Sequence, residues 1–143
     1  MEDITTIHAL AYFNLLKTSS WIEDKVKMVL KPFDLTHAQL NVLHILMDND
    51  PEPVSANELK ERILVASPDV TRLLDRLVKK GFVNRETCPN NRRKVDIELT
   101  GDGKKIFLST QKAMNVALGD FFKDKITERE AMELRSIMHK IRG

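Results

Sequence analysis

The chain has 143 residues, 42% apolar and 31% charged, a balance that suits one compact domain, or two small lobes sharing a core, and argues against disorder. No apolar run approaches the ~20 residues of a membrane span, so a bilayer protein is excluded. The acidic start Met1-Glu2-Asp3-Ile4 lacks the layout of a signal peptide, and the single cysteine, Cys88, excludes an internal disulfide framework; a reducing, cytoplasmic setting is expected. With five Gly and one Tyr the chain is poor in residues that all-β proteins favour, and a mainly helical domain is what remains.

Apolar residues recur at helical spacing from Ile4 to Leu30 and predict a first helix, ended by Lys31-Pro32. Thr36 and Gln39 form a capping box that opens a second helix, with Leu40, Leu43 and Met47 on its apolar face. After the proline-broken loop Asp48–Pro53, Val54 is a short extended residue, and Ser55 with Glu58 caps a short third helix. Ser67-Pro68 is read as cap and first turn of a fourth helix, which stops at Lys79-Lys80-Gly81. Phe82–Arg85 and the alternating Val95–Leu99 predict two strands joined by a basic, Asn-rich tip. A long helix over about Asp102–Phe122 and a last one, capped by Thr127 and running to about Ile141, complete the chain.

The formal net charge is only +2, but its distribution is uneven. Val70–Lys94 holds eight basic residues (Arg72, Arg76, Lys79, Lys80, Arg85, Arg92, Arg93, Lys94) and two acidic ones; the rest of the chain holds fifteen basic and nineteen acidic. A basic stripe on an acidic body is the footprint of a polyanion-binding surface, though a solvated helix face has the same composition. The fourth helix sharpens the choice. Val70, Leu73, Leu74 and Leu77 gather on one side, and Asp69, Arg72, Asp75, Arg76 and Lys79 on the other. Two helices, a capped helix with a basic outer face and a hairpin have the order of a winged helix-turn-helix. Such a helix fits the major groove, where arginine can pair bidentately with guanine or grip a phosphate.

The stretch Ser67–Arg85, the segment Asn91–Thr100 followed by Gly103, and Leu35-Thr36 with Gln39 and Leu43 resemble the recognition helix, wing and second helix of the MarR family of bacterial transcription regulators. The likeness extends over essentially the whole chain. It implies a mainly α fold with a small β-hairpin wing: a winged helix-turn-helix over residues 35–100, flanked by a helical dimerisation region made of residues 1–34 and 101–143. It further implies a homodimer bound to a pseudo-palindromic operator in double-stranded DNA, usually as a repressor. Carried over by position, Ser67, Pro68, Asp69, Thr71, Arg72 and Arg76 would meet the groove and phosphates, and Arg92 or Arg93 would be the wing contact. The family's usual aspartate before the wing arginines is Asn91 here.

Members of that family can hold a small-molecule effector in an apolar cleft between dimer helices and winged-helix lobe, and Tyr12, Phe13, Trp21, Met28 and Met47 could line one; at helical spacing the same residues also suit a core. Four histidines and one cysteine form no metal-ligand motif, so neither metal nor other cofactor is expected. No nucleophile elbow or Gly-rich phosphate loop suggests an enzyme. A winged-helix adaptor that binds protein instead of DNA is the alternative, but it has no need of clustered arginines at both helix and wing.

Overall fold

Each helix begins where a side chain can supply an acceptor to the unpaired N–H groups of its first turn. In the computed structural model, which describes residues 5–64 and 69–143, α1 (Thr6–Leu30) is capped by Thr5 and ends in one 3-10 turn, Lys31–Phe33. Asp34 follows in the left-handed conformation at φ 52° and turns the chain into α2 (His37–Asn49). The capping box of α2 forms as read from the sequence: the Thr36 hydroxyl accepts from the Gln39 N–H, and Gln39 Oε1 accepts from the Thr36 N–H, both at 3.1 Å. Strand β1 is the pair Val54–Ser55, and Ser55 caps α3 (Ala56–Arg62).

Helix α4 (Val70–Lys79) corrects one expectation: its cap is Asp69, whose carboxylate accepts the Arg72 N–H at 2.9 Å. An acceptor three residues before the bonded N–H is what a cap requires, and a carboxylate also suits the positive end of the helix dipole. Ser67 and Pro68 lie outside the described residues. The helix ends as its Gly81 predicts. Gly81 takes φ +80°, its N–H bonds the Val78 carbonyl at 3.0 Å, and the Phe82 N–H bonds the Leu77 carbonyl at 3.1 Å. That pair of bonds is a Schellman motif, which needs a residue at ease in left-handed geometry.

Strands β2 (Val83–Cys88) and β3 (Asn91–Leu99) form the antiparallel hairpin, and β1 pairs with the far edge of β3, giving the order β1-β3-β2. Val54 faces Ile97 across one ladder, Val83 faces Leu99 across the other, and the register slips between Thr87 and Cys88. The strands outrun the expected Phe82–Arg85 and Val95–Leu99, because backbone pairing continues where both faces are polar and no apolar alternation marks it.

Leu43, Leu46, Leu59, Leu74, Leu77, Val83, Ile97 and Phe107 are buried together, so α2, α3, α4, the sheet and the start of α5 (Gly101–Leu118) share one core. Gly103 lets α5 leave the sheet. A Cβ on this residue would sit 2.0 Å from the Phe82 carbonyl oxygen, so only glycine allows that approach. Thr100 ties the same corner, its hydroxyl donating to the Gly81 carbonyl at 2.6 Å and accepting from the Gly103 N–H at 2.9 Å. Instead of running to Phe122, α5 stops at Leu118 and passes into a wide π turn, Gly119–Lys123. Helix α6 (Glu128–Arg142) follows with the Thr127–Glu130 capping box in place. The chain divides into two compact units between Thr110 and Gln111.

Candidate nucleic-acid interface

Helix α4 is built from two opposed faces. Leu73, Leu74 and Leu77 are buried against the core, while Asp69, Thr71, Arg72, Asp75, Arg76 and Lys79 are exposed. The burial of the leucines fixes the rotation of the helix, and therefore aims the arginines outward.

The eight basic residues of the stripe do not share one role. Three are neutralised within the chain: Arg85 Nη2 lies 2.6 Å from Asp75 Oδ1, Lys80 Nζ lies 3.5 Å from Asp34 Oδ2, and Lys94 Nζ lies 3.9 Å from Asp96 Oδ1. The other five, Arg72, Arg76, Lys79, Arg92 and Arg93, have no carboxylate partner among the described residues. All five are exposed on α4 or at the start of β3. A cation without an internal partner keeps its full charge for a ligand, whereas a paired one must first give up its carboxylate.

The four arginines picked out by the resemblance all fall in the unpaired set. Lys79 belongs to the same face and was not singled out, although its spacing, seven after Arg72 and three after Arg76, carries the signal. The pairing of Arg85 with Asp75 joins the β2 strand to α4, and no local pattern announces a contact between residues ten apart in different elements.

Arg92 and Arg93 follow the turn Pro89-Asn90 and lie where the β2–β3 register is interrupted, between the pairs Thr87–Val95 and Cys88–Asn91. Arg93 and Lys94 line a groove of about 390 Å³ beside the start of α3, with Ser55 and Asn57 on its other wall. Asn91 shows what the family's aspartate position does here. Its Oδ1 accepts from the Arg93 backbone N–H at 3.1 Å, a local turn bond that asparagine makes as well as aspartate.

The five residues proposed for an effector cleft are spread out. Tyr12, Phe13, Trp21 and Met28 stand exposed along α1, from 41% at Trp21 to 69% at Met28, and the rings of Tyr12 and Phe13 meet edge to face at 5.2 Å. Trp21 lies under Lys25 Nζ, 5.6 Å from the ring centre. Met47, on α2, is half-buried against the winged-helix core. Cys88 is half-buried at the end of β2. His37 Nδ1 is 2.9 Å from Glu23 Oε1 and His44 Nε2 is 3.5 Å from Asp48 Oδ2; among the described residues no cluster of three or more His, Cys, Asp or Glu could share a metal ion. No described helix is long and apolar enough to cross a membrane.

A three-helix core, a recognition-type helix with an outward basic face and a β-hairpin beside it define a winged helix-turn-helix protein. The MarR family model matches residues 35–95, the span from the turn before α2 to the middle of β3. The chain is 29% identical over 136 residues to an HTH-type transcriptional regulator of Bacillus cereus, covering 95% of this chain and 89% of that protein. It is 37% identical over 70 residues to the HTH-type transcriptional repressor YetL of Bacillus subtilis, covering 49% of this chain and 42% of that one. Its fold matches that of Sco3205, a MarR family regulator from Streptomyces coelicolor solved in complex with DNA. The TM-score is 0.89 at 22% identity, over 99% of this chain and 89% of the other.

Proposed function

We propose that this chain is a transcriptional regulator of the MarR family, a sequence-specific repressor that binds a pseudo-palindromic operator in double-stranded DNA as a homodimer. The observation that carries the reading is the set of five unpaired cations on α4 and β3. Arg72 and Arg76 read or clamp the major groove, with Ser67, Pro68, Asp69 and Thr71 at the start of the helix beside them. Asp69 also holds that end in shape by capping it. Arg92 and Arg93 reach the flanking phosphates or minor groove from the wing. The Streptomyces relative's complex with DNA and the repressor activity in the name of the Bacillus subtilis relative support this assignment.

Residues 35–100 are the DNA-reading part, and residues 1–34 with 101–143 are the dimerisation part. Ile7, Leu10, Phe13 and Leu16 on α1, and Met132, Leu134, Ile137 and Ile141 on α6, are exposed apolar side chains that a second copy would cover. Two-fold symmetry then sets two recognition helices one turn of DNA apart, ~34 Å. A small-molecule effector held by Tyr12, Phe13, Trp21, Met28 and Met47 releases DNA only by binding one spacing of those helices better than the other.

Fluorescence anisotropy of a labelled duplex over a salt series tests the interface. Arg72→Ala should cost ~1–3 kcal/mol and relax specificity at one base position. Replacing Arg92 and Arg93 together by Ala should flatten the salt dependence by about 0.9 of slope per lost phosphate contact. An unchanged slope removes the wing from the interface, and equal loss for Arg72→Ala on every sequence makes that residue a phosphate clamp only.

A further inference from the structure

Lys80 belongs to the basic stripe by sequence, yet the DNA reading leaves it without a task. It stands at the C-cap of α4, and its side chain reaches α2 and the turn before that helix. The ammonium donates to the Asp34 backbone carbonyl and, at 3.3 Å, to Gln39 Oε1, and it lies 3.5 Å from Asp34 Oδ2. An ammonium has three donors and no acceptor, so two hydrogen bonds and a flanking carboxylate occupy it. A DNA phosphate would have to displace them.

The acceptors that hold Lys80 are themselves fixed. Gln39 is 2% exposed, and its Oε1 also accepts the Thr36 N–H in the capping box of α2. The Asp34 carbonyl sits in a turn anchored by the buried Leu30 and Leu35 on either side, with the Asp34 N–H bonded to the Lys31 carbonyl at 3.1 Å. The Asp34 carboxylate differs from both. It is 98% exposed and adds little to the hold.

Burial of Leu73, Leu74 and Leu77 fixes the rotation of α4, but apolar contact has no direction and sets the tilt of a helix only loosely. Charge-assisted hydrogen bonds to fixed acceptors are directional. The Arg85–Asp75 pair ties the middle of α4 to the wing strand, and Lys80 ties its end to α2 and to the turn that closes α1.

We propose that Lys80 is a positioning residue for DNA reading, which contacts no phosphate and holds the recognition helix at one tilt against the α1–α2 turn. Helix α1 belongs to the region proposed to pair with a second copy, so this joint sets where each recognition helix stands relative to its twin. Reading a base sequence needs that register, whereas attraction to phosphates does not. The DNA arm of the inference rests on the proposed function.

The test compares two duplexes of equal length over a salt series, one recovered from random DNA by selection with the wild-type protein and one of random sequence. Lys80→Met keeps most of the apolar stem and removes the ammonium. It should weaken binding to the selected duplex at least about tenfold, while affinity for the random duplex stays within about twofold and both salt slopes are unchanged. A slope lowered by about 0.9 makes Lys80 a phosphate contact and overturns the proposal. Equal loss on the two duplexes overturns it as well. Asp34→Asn keeps the backbone carbonyl and should change neither affinity; a loss as large as that of Lys80→Met would trace the effect to the exposed ion pair instead. Lys80→Gln, polar and neutral, is the second variant and carries the same expectations. A DNA-free arm keeps the two readings apart. Residual dipolar couplings of backbone amides should show α4 reoriented against α2 in Lys80→Met, in a spectrum otherwise that of the folded protein. An unchanged orientation overturns the positioning role, whereas failure of the wild-type protein to select any duplex counts against the proposed function and leaves the couplings to decide the role of Lys80.

Discussion

The winged-helix core and the terminal helices treat their apolar residues in opposite ways. In the first, Leu43, Leu59, Leu77 and Ile97 are fully buried and every element contributes to one cluster. In the second, the 25-residue α1 buries only Val26 and Leu30, at its C-terminal end, and α6 buries nothing. Ile7 is 76% exposed and Ile141 64%. A single chain therefore completes the winged-helix core by itself and leaves apolar side chains of α1 and α6 exposed. The two regions should respond differently to the same kind of change.

The largest expected effect is in the core. Leu77→Ala should lower the unfolding free energy by about 2–5 kcal/mol, read as a shifted urea midpoint with an unchanged slope. A loss as small as that of an exposed position would deny the core its place. Gly103→Ala comes next, because its Cβ has to displace the Phe82 carbonyl; a cost of about 1–3 kcal/mol is expected by thermal unfolding. The terminal helices should show the reverse pattern. Ile137→Asp with Ile141→Asp should leave the winged-helix amide spectrum unchanged while weakening self-association by at least about tenfold in sedimentation, since a charge cannot enter an apolar interface unpaired. Unchanged association would end the dimer assignment for this face.

The smallest effect is a matter of pH. The N–H and hydroxyl of Thr127 both bond the Glu130 carboxylate and hold its pKa below the usual glutamate range. A lowered folded-state pKa contributes stability that is present above the ordinary value and lost as pH falls through the lowered one. The start of α6 should therefore fray in acid, and Glu130→Gln should remove that acid-side change in far-UV helicity. Both versions behaving alike would show that the box does not hold the helix.

Most of the element order was legible because local chemistry sets it. Thr36 with Gln39, Thr127 with Glu130 and Gly81 after two lysines are signals carried by neighbouring residues, and each marks the boundary that the structure shows. The face of α4 was legible for the same reason: its leucines and arginines segregate at helical spacing. What escaped the sequence depends on partners distant along the chain. β1 is two residues long and exists only as a neighbour of β3, and the polar end of β2 pairs through backbone up to an irregular register at Thr87–Cys88. The cap of α4 was assigned to Ser67 because Ser-Pro is a strong local signal, yet Asp69 competes two residues later and takes the bond. The sorting of the basic stripe into paired and unpaired residues was invisible, since Asp34 and Asp75 come from other elements or other faces. So was the joint at Lys80, assembled from α4, α2 and the turn before it.

The central claim is that five unpaired cations on each of two identical chains read a specific two-fold site. Selection of bound sequences from random duplex DNA with the purified protein, at ~150 mM salt, addresses it most directly. The account predicts recovery of a pseudo-palindrome with half-sites about 10–10.5 bp apart, centre to centre. Recovery of sequences with no common motif, bound weakly and alike, would contradict it and turn attention to a protein partner for the same surface.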